Sequence, residues 1–297
     1  MAKAIFTTKI TPSYNDLPEL MYHFPKTYLR QANLTVGDWI IYYEPRREDI
    51  SPAGHAGRQC YFATARVTHI KEDIAVKDHY YAFVENYVEF SVPVPFKIGS
   101  FYYESGLKKA DGSTNKGAFG RAVRIIQDEE YQAIVAAGMA QINEQTVRDD
   151  SEPPINFDVE RPVIQQIIER PFREAAFSRL VKDEYGLTCS MTGITIKNDR
   201  GIMEVEAAHI KPVKFNGPDS VRNGIALCRT FHWMFDHGLI SVADSCDIMV
   251  KNIVPPKVYQ LLNSNGKIRL PSNSMSAPHP RFLKFHREVI YNSATNR

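Results

Sequence analysis

The stretch that decides the fold runs from Glu204-Val-Glu-Ala-Ala-His209-Ile through Asn223-Gly224-Ile to His232-Trp-Met-Phe-Asp236. A histidine near the end of a short apolar strand, an Asn-Gly turn and a His and Asp four residues apart on a helix are typical of a one-metal phosphodiesterase site. A neutral imidazole can deprotonate water near pH 7. The i, i+4 spacing puts His232 and Asp236 on one helix face, where both can hold one cation. These residues predict cleavage of nucleic acid.

The pattern around these residues also predicts local structure. Apolar residues favour a short strand over Ile202–Val205, and Asn216-Gly-Pro-Asp219 is typical of a loop. A short helix is expected over Thr230–Asp236, ending near Gly238. The histidine would then follow the strand, and the cation pair would lie on the next helix.

Four short motifs in this region resemble the HNH (ββα-metal) nucleases, in the branch written C-x-x-T-G, A-A-H-I, N-G-I-x-L and H-x-x-F-D-x-G-L. They stand here in that order as Cys189–Gly193, Ala207–Ile210, Asn223–Leu227 and His232–Leu239. The resemblance implies metal-assisted hydrolysis with a catalytic set of His209, Asn223 and His232. In that set His209 is the general base and His232 a metal ligand, while Asn223 is expected to orient the loop that carries the base.

The metal ligands depart from the common HNH pattern at one position. Many members have Asp or His immediately before the base, where this chain has Ala208. Asp236 is expected as the second ligand, and Glu206, on the strand face of residue 208, could reach the ion directly or through water. So few protein ligands favour Mg²⁺, with Mn²⁺ also expected to support activity, over a closed Zn²⁺ cage. The four cysteines contain no C-x-x-C pair, so no structural zinc is expected.

Composition places the chain among globular proteins. The 297 residues are 43% apolar, enough for two compact cores, and contain no run that predicts a membrane span. The net charge of +2 predicts that DNA binding depends on local patches. One patch surrounds the motifs, and its expected contacts to the DNA backbone are Lys211, Lys214, Arg222 and Arg229. Scattered cysteines without a signal peptide predict reduced thiols and a cytoplasmic location, in a bacterial or phage-defence setting.

The N-terminal half is rich in aromatic and β-branched residues. Three runs, 37–44, 61–70 and 80–90, are separated by turn residues and predict strands of a small barrel. Helices are expected there only over Leu17–Tyr22 and Asp128–Ala137. A polar stretch broken by Pro153-Pro154 predicts a linker, and the periodic run Pro171–Lys182 predicts a helix before the HNH core.

The layout of residues 1–140 resembles the EVE domain of the PUA superfamily. The resemblance depends on a G-D-x-[IV]-x-[YF]-Y strand from Gly37, an A-x-V-x-x-I strand from Ala65, and the Asn115–Arg124 stretch before a helix. The expected fold is therefore α+β, with an EVE or PUA-like β-barrel at 1–140, a linker at 141–160 and an HNH endonuclease domain at 161–297. EVE fused to HNH resembles a modification-dependent restriction endonuclease with a pocket for a flipped base.

A flipped base needs aromatic faces and hydrogen-bonding groups around it. The aromatic segment from Tyr14 to Pro25 and the strand end at Tyr43-Glu44 offer both. A carboxylate there can accept a hydrogen bond from the amino group of cytosine. The candidate residues of the modified-base pocket are Tyr14, Asp16, Tyr22, Phe24, Tyr43 and Glu44.

Three functions stay open at this point. The first is an endonuclease that cuts double-stranded DNA bearing modified cytosine, with 5-methylcytosine first and 5-hydroxymethylcytosine second among the modifications expected. The others are a nuclease that acts on unmodified nucleic acid and a non-catalytic reader of modified DNA. Because one HNH site nicks one strand, a double-strand break needs two copies or two events, and a homodimer would supply the two copies. No membrane partner is expected.

Overall fold

The computed structural model describes residues 2–8, 17–45, 59–139 and 170–292, and the predicted linker at 141–160 lies outside these ranges. The described residues form two compact units, residues 2–139 and residues 173–292. Strands and helices occur in both, so the predicted α+β class is confirmed. No helix within the described ranges has the length and apolar character needed to cross a membrane.

A six-stranded sheet organises the first unit. Its strands are β1 Lys3–Thr7, β2 Met21–Pro25, β3 Trp39–Glu44, β4 Cys60–Glu72, β5 His79–Pro95 and β8 Val123–Ile126. They lie in the order β2-β5-β4-β3-β1-β8, with β1 parallel to β3 and the other neighbours antiparallel. The sheet curls into a half-barrel. The three strands predicted from the aromatic runs are confirmed as β3, β4 and β5.

Three helices and a short hairpin accompany this sheet. They are α1 Leu29–Leu34, α2 Lys116–Phe119, α3 Asp128–Met139 and the pair β6 Lys97–Ile98 with β7 Phe101–Tyr102. The helix predicted from Asp128 is confirmed as α3. The helix predicted over Leu17–Tyr22 is wrong, because Met21 already begins β2 and pairs with Phe83 of β5. A six-residue helix is marginal alone, whereas the ladder to β5 pairs all five residues of β2, beginning with Met21 and Tyr22 of this segment.

The core of the first unit lies on both faces of β3, whose six residues are all buried. On one face Tyr42 packs with Phe6 and other aromatic side chains. On the other face the Tyr131 hydroxyl of α3 lies 2.8 Å from that of Thr64, the ladder partner of Ile41. The helix α3 therefore covers the second face, and this double coverage explains why β3 is apolar or aromatic from Trp39 to Tyr43.

A helix, a hairpin and a second helix organise the second unit. They are α4 Arg170–Glu184, β9 Glu206–His209 paired with β10 Gly224–Leu227, and α5 Arg229–Asp236. The helices predicted before the core and from Thr230 are confirmed as α4 and α5. The strand predicted over Ile202–Val205 is wrong, because the ladder begins at Glu206, opposite Leu227. The N–H of Glu204 instead donates to the carbonyl of Ile196, so the segment before Glu206 belongs to a separate turn.

Helix α4 packs closely against the start of β10. A Cβ placed on Gly224 would overlap Cγ2 of Val181 and lie 3.0 Å from the ring of Phe177. Gly224 is also the ladder partner of His209. The absence of a side chain at Gly224 therefore lets α4 approach the strand pair that carries the histidine.

The remaining elements close the second unit. They are β11 Ile240–Val242 paired with β12 Ile248–Val250, α6 Pro256–Tyr259, α7 Pro280–Phe285 and a π-helical turn His286–Tyr291. The His286 ring is buried, stacks 3.7 Å from Phe235 of α5, and bonds to the hydroxyl of Ser241. Burial lowers the pKa of His286 to about 4. A neutral histidine thus joins the C-terminal segment to α5.

Candidate active site

The His209 side chain lies at the end of β9 and is 18% exposed. Its Nε2 lies 2.9 Å from Oδ1 of Asp219, and its ring stacks on Phe177 of α4 at 3.8 Å and an interplanar angle of 13°. The sequence pattern singled out neither partner. His209 is therefore held from two sides, by a carboxylate and by an aromatic face.

Asn223 is fully buried and closes the loop between the two strands. Its Oδ1 accepts a hydrogen bond from the Lys211 N–H at 2.8 Å, and its Nδ2 donates to the carbonyls of Lys211 at 3.0 Å and Pro218 at 2.9 Å. The loop is tight, because a Cβ on Gly217 would overlap the Lys211 carbonyl. The amide of Asn223 thus ties together both ends of the segment 211–218, which leads directly into Asp219.

The pair on α5 has the geometry that its spacing predicts. Nε2 of His232 lies 3.4 Å from Oδ2 of Asp236. On the other side of the imidazole, Nδ1 lies 2.8 Å from Oε2 of Glu206, whose second oxygen is 3.0 Å from Nε of Arg229. Ala208 is fully buried, so its position offers no polar group. The structure therefore brings Glu206, His232 and Asp236 together around one imidazole.

This donor set fits a hard divalent cation with an incomplete protein shell. Glu206 engages the far nitrogen of His232, which leaves Nε2 and the Asp236 carboxylate on one side. Within the described ranges no group of three or more His, Cys, Asp or Glu side chains is arranged to hold a metal ion. Mg²⁺ commonly binds through one or two carboxylates, several waters and substrate phosphates. An imidazole and a carboxylate that remain 23% and 48% exposed leave room for such waters and phosphates.

Two cysteines that are distant in sequence meet beside this hairpin. The thiol of Cys228 hydrogen-bonds that of Cys189, which lowers the pKa of Cys189 and raises the pKa of Cys228. Both are free thiols. Their separation in sequence hid this contact, because it depends on how the 189–193 turn packs against β10.

The basic residues expected at the DNA backbone surround the hairpin. The ammonium groups of Lys211 and Lys214 lie 5.3 Å from the ring centroids of Phe285 and Phe215, respectively. Burial and the nearby positive charge of Arg281 lower the pKa of Lys211. The carbonyl of Arg222 accepts from the His279 N–H, and the guanidinium of Arg229 pairs with Glu206. Arg281 is thus a further cation of this surface that the sequence pattern did not single out.

The candidate pocket residues of the N-terminal unit do not form one cluster in the described ranges. Tyr22 and Phe24 belong to the core cluster on one face of the sheet. Tyr43 and Glu44 are buried at the end of β3. Tyr14 and Asp16 lie outside the described residues.

Tyr43 lies in an aromatic and charged environment. Its ring centroid is 5.4 Å from those of Tyr61 and Phe119, and the Arg124 guanidinium is 5.3 Å above it. Its hydroxyl is buried and has no hydrogen-bond partner among the residues that the structure describes. Burial also raises the pKa of Tyr43. A buried hydroxyl without a partner is unusual, because it costs about 1 to 3 kcal/mol of desolvation.

A buried ion pair beside Tyr43 was not predicted from the sequence. Nε and Nη2 of Arg124 donate to the two oxygens of Glu104 at 2.7 and 2.8 Å, and the Tyr61 hydroxyl donates to Oε1 at 2.7 Å. The bidentate geometry and the third donor satisfy the buried carboxylate. Twenty residues separate Glu104 from Arg124, so only the fold of the 96–119 region reveals the pair.

Three findings relate the chain to known proteins. The sequence profile described as HNH endonuclease matches residues 189–243. Among solved structures, a modification-dependent TagI restriction endonuclease is similar at 16% identity and TM-score 0.33, over 95% of this chain and 80% of that one. A Type IV phosphorothioation-dependent restriction endonuclease, ScoMcrA, is similar at 11% identity and TM-score 0.22, over 96% and 57%. Both TM-scores lie below 0.5, so neither structure informs the fold or the function. No curated protein matches the chain.

The matched stretch contains the whole of the hairpin and the helix described above. It begins at Cys189 and includes β9, β10, α5 and β11. Within it lie His209 at the end of β9, the buried Asn223, and the His232 and Asp236 pair of α5. Residues 189–243 are an HNH endonuclease domain, and the protein is a nuclease.

Proposed function

We propose that this protein is a metal-dependent endonuclease that cuts double-stranded DNA containing modified cytosine, 5-methylcytosine in the first place and 5-hydroxymethylcytosine in the second. The nuclease half of the proposal is supported by two features inside the HNH domain, His209 at the end of β9 and the His232 and Asp236 pair on α5. In this proposal residues 161–297 hydrolyse the phosphodiester bond, and residues 1–140 select DNA that carries the modified base.

His209 is the general base of the proposed reaction. Its imidazole accepts a proton from water, and the resulting hydroxide attacks phosphorus in line with the departing 3′ oxygen. Asn223 supports this step without touching the substrate, because its three hydrogen bonds are all made to the backbone of the loop after β9. Lys211, Lys214, Arg222 and Arg229 are the proposed contacts to backbone phosphates.

His232 and Asp236 are the proposed ligands of Mg²⁺, which Mn²⁺ can replace. When bound, the cation neutralises charge that develops on the phosphate and on the leaving oxygen. Glu206 accepts from Nδ1 of His232, so it orients the imidazole and raises its basicity in the way that outer carboxylates commonly do for metal-binding histidines. Direct coordination by Glu206 is the alternative role.

The proposed reader is an EVE or PUA-like barrel that receives a flipped cytosine. The Tyr43 hydroxyl, which has no partner within the described ranges, supports this role, because a base that accepts or donates a hydrogen bond there would remove the desolvation cost. Glu44 follows Tyr43 in β3 and can accept from the cytosine amino group. Stacking and these bonds would offset the few kcal/mol needed to lift the base from the duplex.

The test uses three supercoiled plasmids of one sequence that carry cytosine, 5-methylcytosine or 5-hydroxymethylcytosine. Nicking and linearisation are followed on gels with Mg²⁺, with Mn²⁺ and with EDTA. We expect 5-methylcytosine DNA to be cut fastest, by roughly 5- to 150-fold over unmodified DNA, because a methyl contact is worth about 1 to 3 kcal/mol. EDTA should abolish cleavage. Linear product that rises with the square of protein concentration would support a homodimer.

Matched variants separate the alternatives. His209→Ala should lose at least ~10²-fold in rate while the full chain still binds a 5-methylcytosine duplex in EDTA. His232→Ala and Asp236→Ala should raise the cation concentration needed for half-maximal rate, and a larger effect of Glu206→Gln would make Glu206 the ligand. Equal cleavage of all three plasmids would contradict the reader role and would support a nuclease that acts on DNA whether or not it is modified. Tight binding of modified DNA without cleavage by the parent protein would contradict the nuclease assignment and would support a non-catalytic reader of modified DNA.

A further inference from the structure

We propose that Asp219, supported by Arg173 and Phe177 of α4, is a positioning device that holds His209 in the tautomer and orientation of a general base. The proposal rests on the assignment of His209 as the base. It adds three residues to the reaction that the motifs did not include, and two of them precede the matched stretch 189–243.

The first contact decides the tautomer. Nε2 of His209 lies 2.9 Å from Oδ1 of Asp219, and the two side chains are only 18% and 10% exposed. An ionised carboxylate can only accept hydrogen bonds. The shared proton must therefore lie on Nε2 of His209, which leaves the lone pair of Nδ1 free to accept a proton from water.

The second contact holds the carboxylate. Nε of Arg173 lies 3.4 Å from Oδ2, the oxygen that does not face His209, and both side chains are largely buried. Asp219 thus lies between a guanidinium and an imidazole. Rotation about its Cβ–Cγ bond would weaken both interactions, so the direction of the carboxylate is set by α4.

The third contact fixes the plane of the ring. Phe177 lies one helical turn after Arg173 on α4, and its ring stacks on the His209 imidazole at 3.8 Å and 13°. Phe177 is itself held against β10 at Gly224. One face of α4 therefore supplies both the ion pair to Asp219 and the stacking surface for the base.

This arrangement helps the base after it has accepted its proton. Protonation at Nδ1 makes His209 a cation, and the adjacent Asp219 carboxylate stabilises that charge without accepting a proton itself. The same contacts keep Nδ1 aimed in one direction, so less orientation is lost on reaching the transition state. The expected consequence of losing Asp219 is slower chemistry with little change in DNA affinity.

The first test reads the hydrogen bond directly in the unaltered protein. Proton NMR with ¹⁵N-labelled histidine, near pH 8.5, should show a downfield Nε2–H signal of His209 that exchanges slowly with water. The signal is assigned by its loss in His209→Ala, and it should also vanish in Asp219→Ala. Its absence from the unaltered protein, or its persistence in Asp219→Ala, would overturn the proposal whether or not any DNA is cut.

The second test separates chemistry from binding. Asp219→Asn should lower the single-turnover nicking rate of whichever plasmid the parent cuts fastest by roughly 10- to 100-fold. The Kd for a fluorescein-labelled duplex of the same modification, measured in EDTA, should change less than about twofold. The exposed Asp199→Asn is the matched control for the charge change and should match the parent in both assays.

The outcomes distinguish this proposal from the one beneath it. Full activity of His209→Ala would contradict the assignment of His209 as the general base. An inactive His209→Ala together with a fully active Asp219→Asn would contradict only the positioning role of Asp219. A fall in rate that is matched by an equal loss of DNA affinity would also count against positioning, since it indicates a general structural effect. Melting temperatures of all variants identify any that fail to fold, and for those the NMR test on the unaltered protein decides.

Discussion

Asn223→Ala offers the sharpest test of how the active-site loop is held. The side chain is fully buried, and its three hydrogen bonds go to both backbone groups of Lys211 and to the carbonyl of Pro218. Truncation leaves one N–H and two C=O groups without these partners. No other loss is expected at this position, because Asn223 has no charge and its backbone bonds are kept.

The expected loss follows from these three bonds. A neutral hydrogen bond contributes about 0.5 to 1.5 kcal/mol net, so three give about 1.5 to 4.5 kcal/mol of unfolding free energy. Water that enters the vacated space would recover part of this. For a unit of this size such a loss lowers the melting temperature by roughly 10 °C.

Urea unfolding followed by circular dichroism measures the loss, and Asn198→Ala provides the control. Asn198 is exposed and accepts from the N–H groups of Arg200 and Ile202, which water can satisfy after truncation. We expect this control to stay within about 1 kcal/mol of the parent. Asn223→Asp should be at least as damaging as the alanine variant, because its second oxygen would face two carbonyls. A value for Asn223→Ala within about 0.5 kcal/mol of the parent would refute the reasoning.

Three further predictions concern packing, pH and the candidate reader. Gly224→Ala should destabilise the second unit by about 1 to 3 kcal/mol in urea unfolding because its methyl overlaps α4, whereas Gly106→Ala, with nothing within 4 Å of the new methyl, should be neutral. The pKa of His286 is lowered to about 4 in the folded state, so the stability that it contributes is present above its unfolded pKa of about 6.5 and is lost as the pH falls towards 4. Unfolding at pH 7 and pH 5 should show most of this loss, about 2 kcal/mol at most over that interval, and His286→Gln should reduce the difference. Tyr43→Phe should stabilise the protein by about 1 kcal/mol in the absence of DNA, because it removes an unpaired buried hydroxyl, while Tyr61→Phe should cost about 1.5 to 3 kcal/mol for a lost bond to a carboxylate. Equal effects of the two tyrosine variants would contradict the assigned hydrogen bonding.

Local patterns were enough for much of the nuclease half. The i, i+4 spacing of His232 and Asp236 predicted one helix face, and the two side chains indeed meet at 3.4 Å. The helices α4 and α5 and the three long strands of the first unit were also predictable, since their periodic patterns extend over many residues. Short elements were less predictable from the sequence. The segment at Leu17 was assigned wrongly because its pairing partner, β5, is far away in sequence. The segment at Ile202 was assigned wrongly because it bonds to the 196–198 turn, while the ladder to β10 begins only at Glu206.

By itself, the sequence determined the order and chemistry of the HNH motifs, because contiguous spacing dictates which side chains share a strand end or a helix face. Only the tertiary structure decided what surrounds them. It placed Asp219 and Phe177 on the base, and Glu206 on the far nitrogen of His232. Hydrogen bonds and stacking act over only a few ångströms, so contacts between residues this far apart in sequence exist only once strand register and helix packing bring them together.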